Sequence, residues 1–168
     1  TSEEDIVASL NGVYTSLTQS YVADNYHYFT DVRANATVVT NSGANSGIPY
    51  QFYNYTLTEE NVYVYNRYSQ LYKIISRANT LFAHLGDVSY ATPSARDTYE
   101  AEARFLRALS YYWLVTEWGD VPLVLKVLES TEEVRANNYR RPKAEIYQAI
   151  FDDLKYVTES PLLDVQPA

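Results

Sequence analysis

Tyr50, Phe52, Tyr53 and Tyr55 crowd into one short run, interleaved with Gln51 and Asn54. Aromatic faces stack on the C–H faces of sugar rings, while amide, carboxylate and guanidinium groups grip hydroxyls. Asp31 and Arg33, in the same irregular stretch, supply a carboxylate and a guanidinium. Asp31, Arg33, Tyr50, Phe52, Tyr53, Asn54 and Tyr55 therefore form the candidate ligand-binding set. The aromatics have a second, structural use, which is to pin a long loop to a larger body. The two uses are compatible, because a pinned loop is preorganised.

Catalytic chemistry finds little support. The two histidines, His27 and His84, fall on different elements and form no zinc-type pair. His84 reads as structural, whereas His27 is free to face a ligand. No Gly-rich phosphate loop and no nucleophile elbow are present. The carboxylate pairs Glu59-Glu60, Glu132-Glu133 and Asp152-Asp153 are adjacent in sequence. Neighbours on a helix point apart, so these pairs do not flank a scissile bond as glycosidase carboxylates must. They read as solvated surface or as charge at helix N-termini. No catalytic residue, metal ligand or cofactor is expected.

Composition narrows the class. The chain has 168 residues, a formal net charge of −8, no Cys, no Met and 18 Tyr. The acidic balance argues against nucleic acid as a partner, since that binding depends on cations neutralising phosphates. The missing cysteines exclude disulfides and zinc–thiolate sites. No apolar run is long enough to cross a bilayer as a helix. The chain starts at Thr1 and stops at Ala168 without a tail. It is expected to be part of a longer polypeptide.

Four helices are predicted to carry these residues. The first runs from about Glu3 to Gln19, opened by a Ser2/Asp5 capping arrangement, with Ile6, Leu10, Val13, Tyr14 and Leu17 on one face. The second spans about Glu59 to Leu85, with a stripe of Val62, Tyr65, Leu71, Tyr72, Ile75, Ala78 and Phe82, and Gly86 as its left-handed terminator. The third begins near Pro93 and ends at Trp118. Its face is Phe105, Ala108, Leu109, Tyr112, Trp113 and Val115, with Glu100 and Arg104 on a polar side. Gly119 is expected to end it in the left-handed region, and Pro122 to prevent a restart. Residues 121–125 are then extended and packed back on the helices. After a polar linker at 129–141, a fourth helix runs from Pro142 to about Thr158, with Pro161 as its stop. Its face of Ile146, Tyr147, Ile150, Phe151, Leu154 and Val157 needs a partner, expected beyond Ala168.

Between the first two helices, residues of about 21–58 have no helical period and are rich in Asn, Thr, Ser and Gly. So long an irregular segment in a compact domain is functional or disordered, and its aromatics argue for order. Short strands are expected near Thr37–Thr40. The helices also carry tetratricopeptide-like spacings. Ala101, Phe105 and Ala108 give the small–large–small pattern of a second helix, and Tyr68/Leu71/Tyr72/Ile75 and Tyr147/Ile150/Phe151/Leu154 resemble first helices. The fold class is all-α, with antiparallel, tetratricopeptide-like helix pairs and one long Tyr-rich loop.

The run EARFLRALSYYWLVTEWGDVPLV at 102–124 resembles the signature of the SusD/RagB family, surface glycan-binding lipoproteins of Bacteroidetes. Three further pieces resemble the family in order: residues 4–14, the Tyr72/Ile75/Ala78/Asn79 spacing, and the segment Arg141–Leu154. The resemblance implies a helical, tetratricopeptide-like, non-catalytic protein, with 1–168 as its N-terminal domain and the C-terminal part absent. It implies a lipid anchor outside this sequence, on the outer face of the outer membrane, with a SusC-like TonB-dependent transporter and a glycan ligand as partners. No family motif marks ligand residues in 21–58, so the candidates there rest on composition and position. The Trp-Gly-Asp-Val-Pro-Leu corner is read as scaffold. The alternative function is a peptide- or protein-binding scaffold of the same fold.

Overall fold

The computed structural model describes residues 2–160. Helix α1, Glu3–Leu17, opens on a capping box. The Ser2 N–H donates to the Asp5 carboxylate at 2.7 Å, and the Asp5 N–H to the Ser2 hydroxyl at 3.3 Å. The Ser2 backbone N–H, helped by the Ser2 hydroxyl, holds the Asp5 carboxyl below its usual range. Ile6, Leu10 and Val13 are buried as their spacing requires. Short helix α2, Tyr50–Tyr53, lies inside the long loop. Helix α3, Val62–His84, starts at Asn61, whose side chain accepts the N–H groups of Tyr63 and Val64. Helix α4, Ala95–Trp118, follows a short 3-10 turn at Leu85–Asp87. Strand β1, Val121–Pro122, pairs antiparallel with β2, Arg140–Arg141, and between them lies helix α5, Thr131–Asn137. Helix α6, Lys143–Glu159, completes the described chain.

The long helices stack antiparallel in the order α1, α3, α4, α6. One core cluster joins Leu71, Ile74, Leu106, Leu114, Ile146 and their neighbours; a second joins Ile6, Leu10, Ala78, Leu81 and Ala103. Alanines at the α3–α4 contact let the helices approach closely, which is the role the small positions of a helix repeat serve.

Several expectations are corrected. The buried arc of α3 includes Tyr63, Ile74 and Leu81, while Val62 and Tyr65 are exposed. The helix is packed on two sides, by α1 and by α4, so its apolar arc is wider than a single stripe and turned relative to it. Gly86 does not take a positive φ; it sits inside the 3-10 turn. Gly119 has the expected sign of φ, at 74°, but its ψ of −119° lies outside the left-handed helical basin. No strand forms at 37–40, and the polar linker contains α5. Pro161 lies outside the described residues.

The largest correction concerns charge. Asp153 is buried, not a solvated surface carboxylate. Arg107 grips it through Nε and Nη2, both at 2.7 Å, and donates from Nη1 to the Asn79 amide oxygen at 2.7 Å. Arg104 joins through Asp153 at 2.9 Å and Glu100 at 2.8 Å. Glu100 is likewise buried. Paired, bidentate geometry is what makes burying such charges tolerable. The Asn79 amide then donates to the carbonyls of Val124 and Lys126, tying the segment after β1 to α3.

Candidate functional site

The loop between α1 and α3 is held at both ends by buried polar side chains. Arg67 of α3 has no exposed surface. Its guanidinium makes a fork with Glu117 of α4, at 2.7 and 2.6 Å, and donates to the carbonyls of Tyr21 and Val22. The rings of Tyr26 and Phe29 lie 4.9 Å from it and that of Trp113 5.4 Å, a cation–π cage. One arginine thus joins two helices to the start of the loop. Asn61 fastens the other end, donating to the Ile48 carbonyl at 3.1 Å and the Gln51 amide at 2.8 Å.

Between these anchors the loop builds its own small core. Val32, Phe52 and Tyr63 are buried, with Tyr21, Tyr28, Phe29 and Leu57 packed around them. Phe29 meets Phe52 edge-on at 4.9 Å, and Tyr21 meets Tyr63 at 5.3 Å. Such contacts add to area burial and fix orientation. The turn Tyr28–Val32 is π-helical, a form that clusters at functional sites. Tyr55 and Asn35 hold positive φ values of 58° and 55°. Asparagine visits that region readily, but a bulky residue such as Tyr55 is strained there, and strain of this kind concentrates where function needs a fixed geometry.

Two clefts open on this loop. One, of about 480 Å³, is lined by His27, Tyr28, Val32, Pro49 and the run 37–41. It falls within the size range of small-molecule sites, about 300–1,000 Å³. The His27 ring lies 4.1 Å from that of Tyr28, so an aromatic pair forms part of its lining. Burial raises the Tyr28 hydroxyl pKa. The other cleft, of about 170 Å³, brings Arg33 together with Phe29, Leu57, Glu117 and Trp118.

The candidate residues separate into groups. Tyr50 and Tyr53 share α2, with ring centroids 5.6 Å apart and planes at 40°, half-buried. Tyr55 is exposed and its hydroxyl donates to the Arg33 carbonyl. Asn54 accepts the Thr56 hydroxyl. The Asp31 carboxylate is exposed, and among the described residues no hydrogen bond or ion pair joins it to the others. Phe52 is fully buried and has no surface to offer a ligand; it belongs to the pinning core. The sequence did not point to Tyr28, Trp118 or the 37–41 strip. Trp118 stood in the corner read as scaffold, and the strip carries no aromatic signal. Among the described residues no group of three or more His, Cys, Asp or Glu side chains comes together to hold a metal.

Antiparallel, tetratricopeptide-like helices carrying an aromatic loop define a helical-repeat scaffold. The SusD-like family described as "Starch-binding associating with outer membrane" matches residues 1–160. The chain belongs to that family. It is 29% identical over 156 residues to SusD-like protein P2 of Formosa agariphila, covering 92% of this chain and 30% of that protein. SusD-like protein P25 of the same organism is 26% identical over 164 residues, with the same coverages of 92% and 30%. A solved "laminarin binding SusD-like protein" superposes with a TM-score of 0.78 at 26% identity, over 94% of this chain and 34% of that one. The chain thus spans about a third of the length of these relatives. No helix among the described residues is long and apolar enough to cross a membrane.

Proposed function

We propose that the full-length protein binds an oligosaccharide or polysaccharide at the cell surface, without altering it, and delivers it to a SusC-like TonB-dependent transporter. The observation that carries this reading is family membership across residues 1–160. A solved relative is described as laminarin-binding, which supports a glycan as the ligand class. A lipid anchor outside this sequence holds the protein on the outer face of the outer membrane. Residues 1–168 form its N-terminal domain, and the loop at 21–58 supplies part of the ligand surface. Tyr50, Tyr53 and Tyr55 offer rings for stacking, while Asp31, Arg33 and Asn54 offer groups for hydroxyls.

Calorimetry on the full-length protein against a panel of soluble glycans, laminarin included, tests the reading. Binding to one glycan class is expected, weakened about tenfold by Tyr55→Ala, the equivalent of about 1.4 kcal/mol. Lack of binding across the panel, together with capture of peptides from a digest, would instead establish a peptide-binding scaffold. Co-purification of a TonB-dependent transporter from outer membranes checks the delivery step.

A further inference from the structure

A cleft built without any residue of the 21–58 loop lies between α3 and the excursion that carries α5. Tyr68, Ser69 and Tyr72 of α3 line it with Leu128, Val134 and Asn138, around about 280 Å³. A neighbouring cleft of about 260 Å³ shares Tyr72, Val124 and Leu128 with it and continues along α3 to Asn79. Joined, they reach the size range of small-molecule sites, about 300–1,000 Å³. Helix α5 lies over this space without packing into it: none of its residues is buried. Local bonds hold it instead, from the Glu133 N–H to the Ser130 hydroxyl at 3.1 Å and from Lys126 to Glu133 at 2.6 Å. The cleft is also joined to the loop by aromatic rings. Tyr72 lies 4.9 Å from Tyr68, and Tyr68 meets Trp118 edge-on at 5.2 Å. Trp118 and Phe29, 6.2 Å apart, line the cleft that holds Arg33. One row of four rings therefore runs from the loop's cleft into this one.

We infer that the α3–α5 cleft is a second saccharide subsite, taking an uncharged sugar ring of the same glycan chain whose other units lie on the loop; this rests on the glycan-binding reading above. The lining selects that ligand. Tyrosine rings offer faces to the C–H side of a sugar. The Ser69 hydroxyl and the Asn138 amide make no hydrogen bond among the described residues, which leaves them for sugar hydroxyls. No charged side chain lines the α3–α5 cleft, so nothing in it favours an acidic sugar. The Tyr72 ring is held in place, because its hydroxyl donates to the Pro122 carbonyl at 2.7 Å. An extended peptide is a poorer occupant, since it needs a free strand edge. The backbone along this wall is already engaged: Tyr111 and Asn79 bond the Val124 carbonyl, Tyr111 accepts the Val124 N–H, and Asn79 bonds the Lys126 carbonyl. Two subsites joined by one ligand chain make affinity depend on chain length, because the second ring binds intramolecularly once the first is held.

Calorimetry on the full-length protein tests it, with length-graded oligosaccharides cut from laminarin and from each other glycan of the panel. Wild-type affinity is expected to rise with chain length and to level off once both clefts are spanned. Ser69 is exposed on α3, so Ser69→Arg fills the cleft and leaves the core alone. It is expected to weaken the long oligosaccharides about tenfold and to leave the shortest ones that bind unchanged. Asn138→Ala is expected to act in the same direction, about threefold, as the loss of one hydrogen bond would. Equal affinity of wild type and Ser69→Arg for the long oligosaccharides overturns the inference and leaves glycan binding at the loop standing. Equal weakening of short and long chains also overturns it, since that marks a disturbed loop and not a separate subsite. A wild-type protein that binds no glycan of the panel overturns both this inference and the reading beneath it.

Discussion

The Asp120 carboxylate accepts the backbone N–H of Lys143 at 2.9 Å, so the corner that ends α4 caps the start of α6. Pro142, at the cap position, has no side-chain bond to offer. The Trp-Gly-Asp-Val-Pro-Leu corner is therefore a joint between two helices. Asp120→Ala is expected to lower stability by about 1 kcal/mol, the usual cost of a lost N-terminal cap, and Asp120→Asn to retain most of it. Urea denaturation of the full-length protein followed by circular dichroism measures both.

Breaking the Arg107–Asp153 fork is expected to cost far more. Asp153→Ala leaves a buried guanidinium without its counter-charge, and about 3–5 kcal/mol of stability is lost. Replacing both partners, as Arg107→Met with Asp153→Leu, is expected to recover much of that loss, because neither charge is then stranded. A double-mutant cycle in urea gives the coupling between the two.

Arg67 is expected to govern loop order more than helix formation. Arg67→Met removes the two bonds to the Tyr21 and Val22 carbonyls and the fork with Glu117. Amides of residues 22–32 should then exchange with solvent about tenfold faster or more, while those of Ile6–Val13 change little. Ligand affinity should fall with them, since a loosened loop must be ordered on binding. Unchanged exchange across 22–32 would show that the loop's own aromatic core suffices to hold it.

Tyrosine ionisation gives a pH test. Burial raises the pKa of Tyr72, whose hydroxyl donates to the Pro122 carbonyl at 2.7 Å. Burial likewise raises that of Tyr111, which donates to the Val124 carbonyl at 2.9 Å. A raised folded-state pKa means that the neutral form is favoured by folding. The associated stability is complete below the ordinary tyrosine value of about 10 and is lost as pH climbs above it. Absorbance at 295 nm should rise in two stages. Tyr72 and Tyr111 are expected in the later stage, ionising only as the fold gives way. In urea one stage is expected.

The sequence alone determined the four long helices, their order and the family. Helical periodicity, the Ser2/Asp5 capping box and the breakers around Gly119 and Pro122 are local signals, written within a few residues of where they act. The aromatic loop was also legible as a segment. Which of its rings point outward was not: Phe52 and Tyr55 look alike in sequence, yet one is sealed in the loop's core and the other is exposed.

Tertiary structure decided the rest. Asp152 and Asp153 are chemically equivalent neighbours, and only the packing of α4 against α6 turns one of them onto Arg107. The face of α3 was misjudged because two helices flank it, and a one-sided stripe cannot represent that. Arg67 carries no sequence mark of being the bolt of the loop. Its partners Tyr21, Val22 and Glu117 lie some 45 to 50 positions away. Periodicity follows from local backbone geometry and is written in adjacent residues. Burial, charge pairing and exposure depend on what the fold brings alongside, and that is fixed only when distant segments meet.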